Sequence, residues 1–126
     1  MTKQAIHTDQ APQPRGAYSQ GVVSGGFLFT SGFGPHDPRT GETSASVGAQ
    51  TAQALRNIQA VLAERGLTLH DVVRTTVHLH HLKHDFDEFD AVYSEFFSDP
   101  MPVRTTVGSE LMDVLVTIDV VAGLRE

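Results

Sequence analysis

Cysteine is missing from the 126 residues, and that single absence excludes disulfide scaffolds, thiolate metal sites, thiol nucleophiles and redox pairs. Oxygen and nitrogen groups must carry any chemistry. Basic charge is scarce as well: nine Lys and Arg against fifteen Asp and Glu leave a formal charge of -6. The bases are scattered from Lys3 and Arg15 through Arg39, Arg56, Arg65, Arg74, Lys83 and Arg104 to Arg125, the wrong footprint for a phosphate backbone. No nucleic-acid partner is expected. Long apolar runs are absent, and the first thirty residues hold no basic-then-apolar signal segment, which predicts a cytoplasmic protein without a membrane partner. Walker loops, dinucleotide glycine fingerprints, His-Glu-x-x-His and Gly-x-Ser-x-Gly are also missing. Gly32-Phe33-Gly34 lacks the third glycine and the helix opening that a phosphate cradle requires.

What is present fits a soluble globular chain, with 40% hydrophobic and 19% charged residues. The length predicts one domain, 1–126, able to bury about two-thirds of its surface without a metal or disulfide. Pro12-Gln13-Pro14-Arg15-Gly16 reads as loop, with a short strand before it around Ala5 to His7. Gln20 to Val23 and Phe27 to Ser31 read as a hairpin around Ser24-Gly25-Gly26. Leu55, Ile58, Val61 and Leu62 recur at helical spacing, so a helix is expected from Val47 to Arg65, with Ser46 as N-cap and Gly66 past its end. Val72 to His80 alternates as a strand.

A second helix is signalled by Asp85-x-x-Glu88, read as a capping box, and by the stripe Phe86, Phe89, Tyr93, Phe96 and Phe97. Its acids Asp87, Glu88, Asp90 and Glu95 read as a solvated face. Strands near Val103 to Val107 and Val114 to Ala122 follow. This order implies an α+β fold, a mixed six-stranded sheet with two helices packed on one face. Apolar residues on both faces of several strands predict that subunit association covers the other side.

Two residues break local expectation. Asp119 interrupts the apolar strand Val114 to Ala122, and an acid there is costly unless paired or hydrogen-bonded. Arg104 begins a β-rich stretch and offers a two-pronged fork for a carboxylate. The residues alone favour the simpler account, an Arg104–Asp119 ion pair across neighbouring strands, over a ligand site. His78, His80, His81 and His84 raise a metal site, but no carboxylate lies between them and no metal is expected.

The chain's segments, taken in order, resemble the RidA/YjgF reactive-intermediate deaminase family. Gly16-Ala17-Tyr18-Ser19-Gln20-Gly21 resembles its Gly-Pro-Tyr-Ser-Gln motif. Thr30-Ser31-Gly32, Asp37-Pro38-Arg39-Thr40-Gly41-Glu42, Asp71 to Val77, Pro102 to Val107 and Val116 to Asp119 continue the series. The resemblance implies a chorismate-mutase-like homotrimer with clefts between subunits. It also implies hydrolysis of small 2-imino and 2-enamino acids to 2-oxo acids and ammonia, without a cofactor. On the matching positions it makes Arg104 the carboxylate anchor and Asp119 the counterpart of the catalytic Glu, with Tyr18 and Ser31 supplying hydroxyls and Thr106 a backbone contact.

The chain departs from the pattern at Asp119, one methylene shorter than Glu, and at Asp90, where Asn is common. Phe33 and Thr106 stand for Gln and Cys, and Gly108 to Asp113 lacks the usual Leu-Pro stretch. The alternatives are a non-catalytic small-carboxylate-binding or chaperone-like trimer, and a ribonuclease or translation inhibitor, against which the charge speaks. An Arg104 capped by its own chain's acid and closed off from any crevice would count against the deaminase expectation.

Overall fold

The hydrophobic periodicities become nine elements in a computed structural model of the chain, which describes residues 2–125. Strands β1 (Gln4–Ile6), β2 (Gly21–Ser24) and β3 (Phe27–Thr30) come first, then helix α1 (Val47–Ala63) and a short 3₁₀ turn, Leu69–Asp71. Strand β4 (Val72–Leu79), helix α2 (Leu82–Phe96) and strands β5 (Val103–Gly108) and β6 (Val116–Gly123) follow. The six strands form one sheet in the order β1-β2-β3-β6-β4-β5. Only β4 and β5 are parallel, because α2 carries the chain back between them, so the sheet is mixed as expected.

Both helices lie on one face of the sheet. The apolar stripe of α1 buries Leu55, Ile58, Val61 and Leu62 against Leu28, Val120 and Ala122, and α2 adds Phe89 and Tyr93 over β4. Each of the larger of these side chains contributes about 1.5–3 kcal/mol by leaving water. Ser46 caps α1 by accepting from the Ala49 amide at 3.1 Å, and Gly66 turns the chain after it at φ 68°. The bounds of α2 correct the expected capping box. The helix begins at Leu82, with no side-chain cap from His81, and Asp85 sits buried inside its first turn. Leu82 packs on the core and draws the helix start upstream.

The acidic face of α2 is also not simply solvated. Glu88 Oε2 accepts from the Gly48 amide at the start of α1, at 2.8 Å, and Asp90 is engaged by Arg104. A side chain on Gly48 would place its Cβ 2.9 Å from that oxygen, so the Glu88 carboxylate would have to shift to make room for it.

Strand register assigns every residue to a face. On the face away from the helices stand Phe27 and Phe29, each 43% exposed, with Val121 beside Phe29 and with Val103 and Val107 at the far edge of the sheet. Arg74, Thr76, His78, Thr105, Thr117 and Asp119 share that open face. No helix among the described residues is long and apolar enough to cross a membrane.

Candidate functional site

Arg104 is built into the helix side of the edge strand β5. Its register partner is Thr75, whose buried hydroxyl is 2.8 Å from the Tyr93 hydroxyl. Side chains on a strand alternate between faces, so Arg104 turns toward α2 while Thr105 turns away. The guanidinium carbon lies 4.7 Å from the Tyr93 ring centroid, 5.5 Å from Phe89 and 5.6 Å from Phe86. Three ring faces attract and orient the cation. Burial beneath it pushes the Tyr93 phenol pKa up, against the opposing pull of the Thr75 hydrogen bond and the Arg104 charge.

One Arg104 nitrogen, Nη1, donates to Asp90 Oδ1 at 2.6 Å, and Asp90 is its only hydrogen-bond acceptor among the described residues. A guanidinium carries five N–H donors, so most of the fork remains available. The cap expected to count against a ligand role is therefore present, but it is partial. The Arg104 side chain keeps 23% exposure and that of Asp90 45%.

The alternative Arg104–Asp119 ion pair is not formed. Strands β5 and β6 are not neighbours, since β4 lies between them. Asp119 is in register with Thr76, one residue beyond the partner of Arg104, and so stands on the opposite face. Burial raises the Asp119 carboxyl pKa, with the charges of His78 and Arg74 opposing that rise.

The remaining expected residues gather elsewhere. Tyr18, Ser31 and Phe33 line a crevice of about 500 Å³ with Gly32, Thr117 and Met112. The loop after β3 enters this wall because Phe33 exchanges two backbone hydrogen bonds with Ile118, donating at 2.8 Å and accepting at 3.0 Å. Ser31 is held by its amide, which donates to the Gln20 carbonyl at 3.0 Å. Buried Gln20 in turn accepts from the Thr8 amide and donates to the Thr8 and Pro12 carbonyls, fixing the loop that carries Tyr18. The Tyr18 hydroxyl accepts from the Arg15 amide at 3.2 Å.

Arg104, Asp90, Thr106 and Asp119 do not line this crevice. Thr106 shares the helix side of β5 with Arg104, while Thr117 of the crevice belongs to the open face two strands away, about 10 Å across the sheet. The seven expected residues thus fall into a crevice group, an edge group and Asp119 between them.

Sequence reasoning missed Thr117, Glu110, Arg15 and His36, all of which line the crevice. Thr117 was discoverable, since it lies two residues before Asp119 and hence on the same face. Glu110 is the single carboxylate of the crevice among the described residues. The imidazole pKa of His36 is lowered by burial and then by the Arg15 charge, which favours its neutral form.

Three of the four clustered histidines, His78, His80 and His84, make local hydrogen bonds. His78 Nδ1 is 2.6 Å from Ser109 Oγ, and His80 Nδ1 accepts from the Leu111 amide at 3.0 Å. Among the described residues no group of three or more His, Asp or Glu side chains is arranged to hold a metal.

Residues 8–124 match the family model described as Endoribonuclease L-PSP, that of the YjgF/RidA proteins. A RutC family protein of Pyrococcus abyssi is 41% identical over 125 residues, covering 97% of this chain and 98% of that one. A 2-iminobutanoate/2-iminopropanoate deaminase of Escherichia coli K12 is 38% identical over 125 residues, covering 95% and 97%. Among solved structures, Escherichia coli TdcF with bound serine superposes with a TM-score of 0.89 at 35% identity, covering 97% of this chain and 99% of that one. With residues 8–124 matched by the family model and its fold superposing on such relatives, the chain belongs to the YjgF/RidA family.

Proposed function

We propose that the protein is a hydrolytic deaminase of small 2-imino and 2-enamino carboxylic acids, working as a chorismate-mutase-like homotrimer without a cofactor. The observation that carries this reading is the Arg104 fork. It is oriented by three aromatic rings, placed on an edge strand and engaged by a single acceptor, a geometry that leaves donors for a ligand carboxylate. The separation of the edge group from the crevice supports an intersubunit site. Arg104, Asp90 and Thr106 of one protomer would face Tyr18, Ser31, Gly32 and Thr117 of the next. The open sheet face, with exposed Phe27 and Phe29, supplies the surface on which copies would associate. The 38% identical deaminase of Escherichia coli and the serine bound to TdcF support a small amino-acid-like substrate.

In this reading the substrate carboxylate takes parallel hydrogen bonds from Arg104, which fixes the C=N carbon. Water adds to that carbon and one of its protons reaches the nitrogen, giving a carbinolamine. Collapse passes the hydroxyl proton to the nitrogen, forms the C=O bond, breaks the C–N bond and releases ammonia; an enamine first gains a proton at its terminal carbon and loses one from nitrogen to become the imine. The hydroxyls of Tyr18 and Ser31 hydrogen-bond the water and the nitrogen. Two carboxylates would serve to polarise the water: Glu110, which lines the crevice, and Asp119, which like Arg104 lies outside the crevice of its own chain. An imine is already electrophilic, so positioning carries most of the acceleration.

The test supplies 2-aminoacrylate from a serine dehydratase and follows 2-oxo acid formation. Wild type is expected to accelerate the reaction, and Arg104→Ala to lower the acceleration about a hundredfold. Equal acceleration by both proteins removes the anchor. Binding of 2-oxo acid by wild type, with no turnover of any imine, identifies a carboxylate-binding protein instead.

A further inference from the structure

We infer that Asp90 makes the anchor selective for ligands that carry a positive nitrogen next to the carboxylate, zwitterions rather than simple anions. This rests on Arg104 being the carboxylate anchor. Its basis is the pairing of a fixed cation with an accessible acid. The Arg104 guanidinium is held among the rings of Phe86, Phe89 and Tyr93. The Asp90 side chain contacts it through one oxygen at 2.6 Å and is nearly twice as exposed. Positive and negative groups therefore sit side by side on the helix side of the sheet edge, both partly exposed and one of them with most of its donors unused.

An α-amino or α-iminium carboxylate has the mirror-image arrangement, with the two charges separated by one carbon. Its carboxylate can accept from the free donors of Arg104 while its N–H groups donate to the second Asp90 oxygen, for which no acceptor or donor contact exists among the described residues. A 2-oxo acid offers only the anion. It gains the Arg104 contact and meets the Asp90 charge without compensation, a repulsion that solvent moderates because the Asp90 side chain is 45% exposed. An acid at residue 90 thus holds the protonated imine and favours departure of the 2-oxo product. An uncharged amide there would keep the hydrogen bond to Arg104 and lose this discrimination.

The experiment is calorimetric, with serine and 2-oxobutanoate as probes and wild type, Asp90→Asn and Arg104→Ala as proteins. Asp90→Asn is expected to tighten 2-oxobutanoate and weaken serine, changing the ratio of the two dissociation constants by about tenfold or more. Arg104→Ala is expected to lose both ligands. An unchanged ratio in Asp90→Asn, with both ligands still dependent on Arg104, overturns the role of Asp90 alone. Retention of both ligands by Arg104→Ala, or failure of wild type to bind either, overturns the anchor on which it rests. Thermal melts and elution volumes of the variants establish that each is folded and assembled as wild type.

Discussion

Asp71 is a residue whose charge holds two parts of the chain at once. Its Oδ2 accepts from the Thr68 amide at 2.9 Å, closing the capping box of the 3₁₀ turn. Its two oxygens also accept from Arg125 Nε and Nη2, at 3.1 and 2.9 Å, fastening the end of the chain. The Arg125 hydrogen bond holds the Asp71 carboxyl below its ordinary value of 3.8, with the Thr68 amide and the nearby charges acting in the same direction against burial. A lowered folded-state pKa means the stabilisation is complete above the unfolded value and fades as pH falls through the folded one. Asp71→Asn should therefore cost about 1 kcal/mol at neutral pH. Urea midpoints measured from pH 7 down to pH 2 should show the gap from wild type closing below about pH 4. A gap independent of pH would mean the carboxylate charge has no part in it. Single residues of this kind are legible in sequence only when their partner is local. Ser46 as the cap of α1 needed three residues of context. The pairing of Arg104 needed the strand order, because one residue of register decides which face a side chain takes.

Helix α2 shows the same limit at the scale of an element. Its aromatic stripe identified the buried face correctly, with Phe89 and Tyr93 in the core, because helical periodicity is written into the residues themselves. Its polar face is exposed as read, at Asp87, Glu88 and Glu95, but the contacts of Glu88 and Asp90 were not legible, since nothing in the sequence says that α1 starts beside that face. Glu88 answers one of the amides that the first turn of α1 leaves without an intrahelical partner, and its negative charge complements the positive end of that helix. Glu88→Ala should lower stability by about 1–2 kcal/mol, a cap-like loss combined with a lost interhelix contact. Glu95→Ala, at an exposed position of the same helix, should stay within about 0.5 kcal/mol of wild type. Chemical denaturation of the two variants checks the difference. Equal effects would mean the Gly48 contact contributes nothing beyond surface charge.

At the scale of the whole molecule, the proposed site is divided between two copies of the chain, and that division has a numerical consequence. Arg104 stands on the helix side of one sheet edge, while the crevice lies near β3 and β6 and includes the open-face residue Thr117. Arg104→Ala removes the anchor and leaves the crevice. Gly32→Phe does the reverse: a Cβ at Gly32 meets nothing within 4 Å, so the added ring fills the crevice without straining the backbone. Each variant alone should keep no more than about a hundredth of the wild-type acceleration with 2-aminoacrylate. When the two are mixed one to one, unfolded and reassembled, an intact site arises wherever a Gly32→Phe copy lends its Arg104 to the crevice of an Arg104→Ala copy. In a ring of three with random incorporation this occurs at about a quarter of the sites, so about a quarter of wild-type activity should return. A site confined to one protomer gives none, because every protomer in the mixture carries a lesion. Mixing the two proteins without unfolding controls for exchange, and activity there should rise only as fast as subunits dissociate.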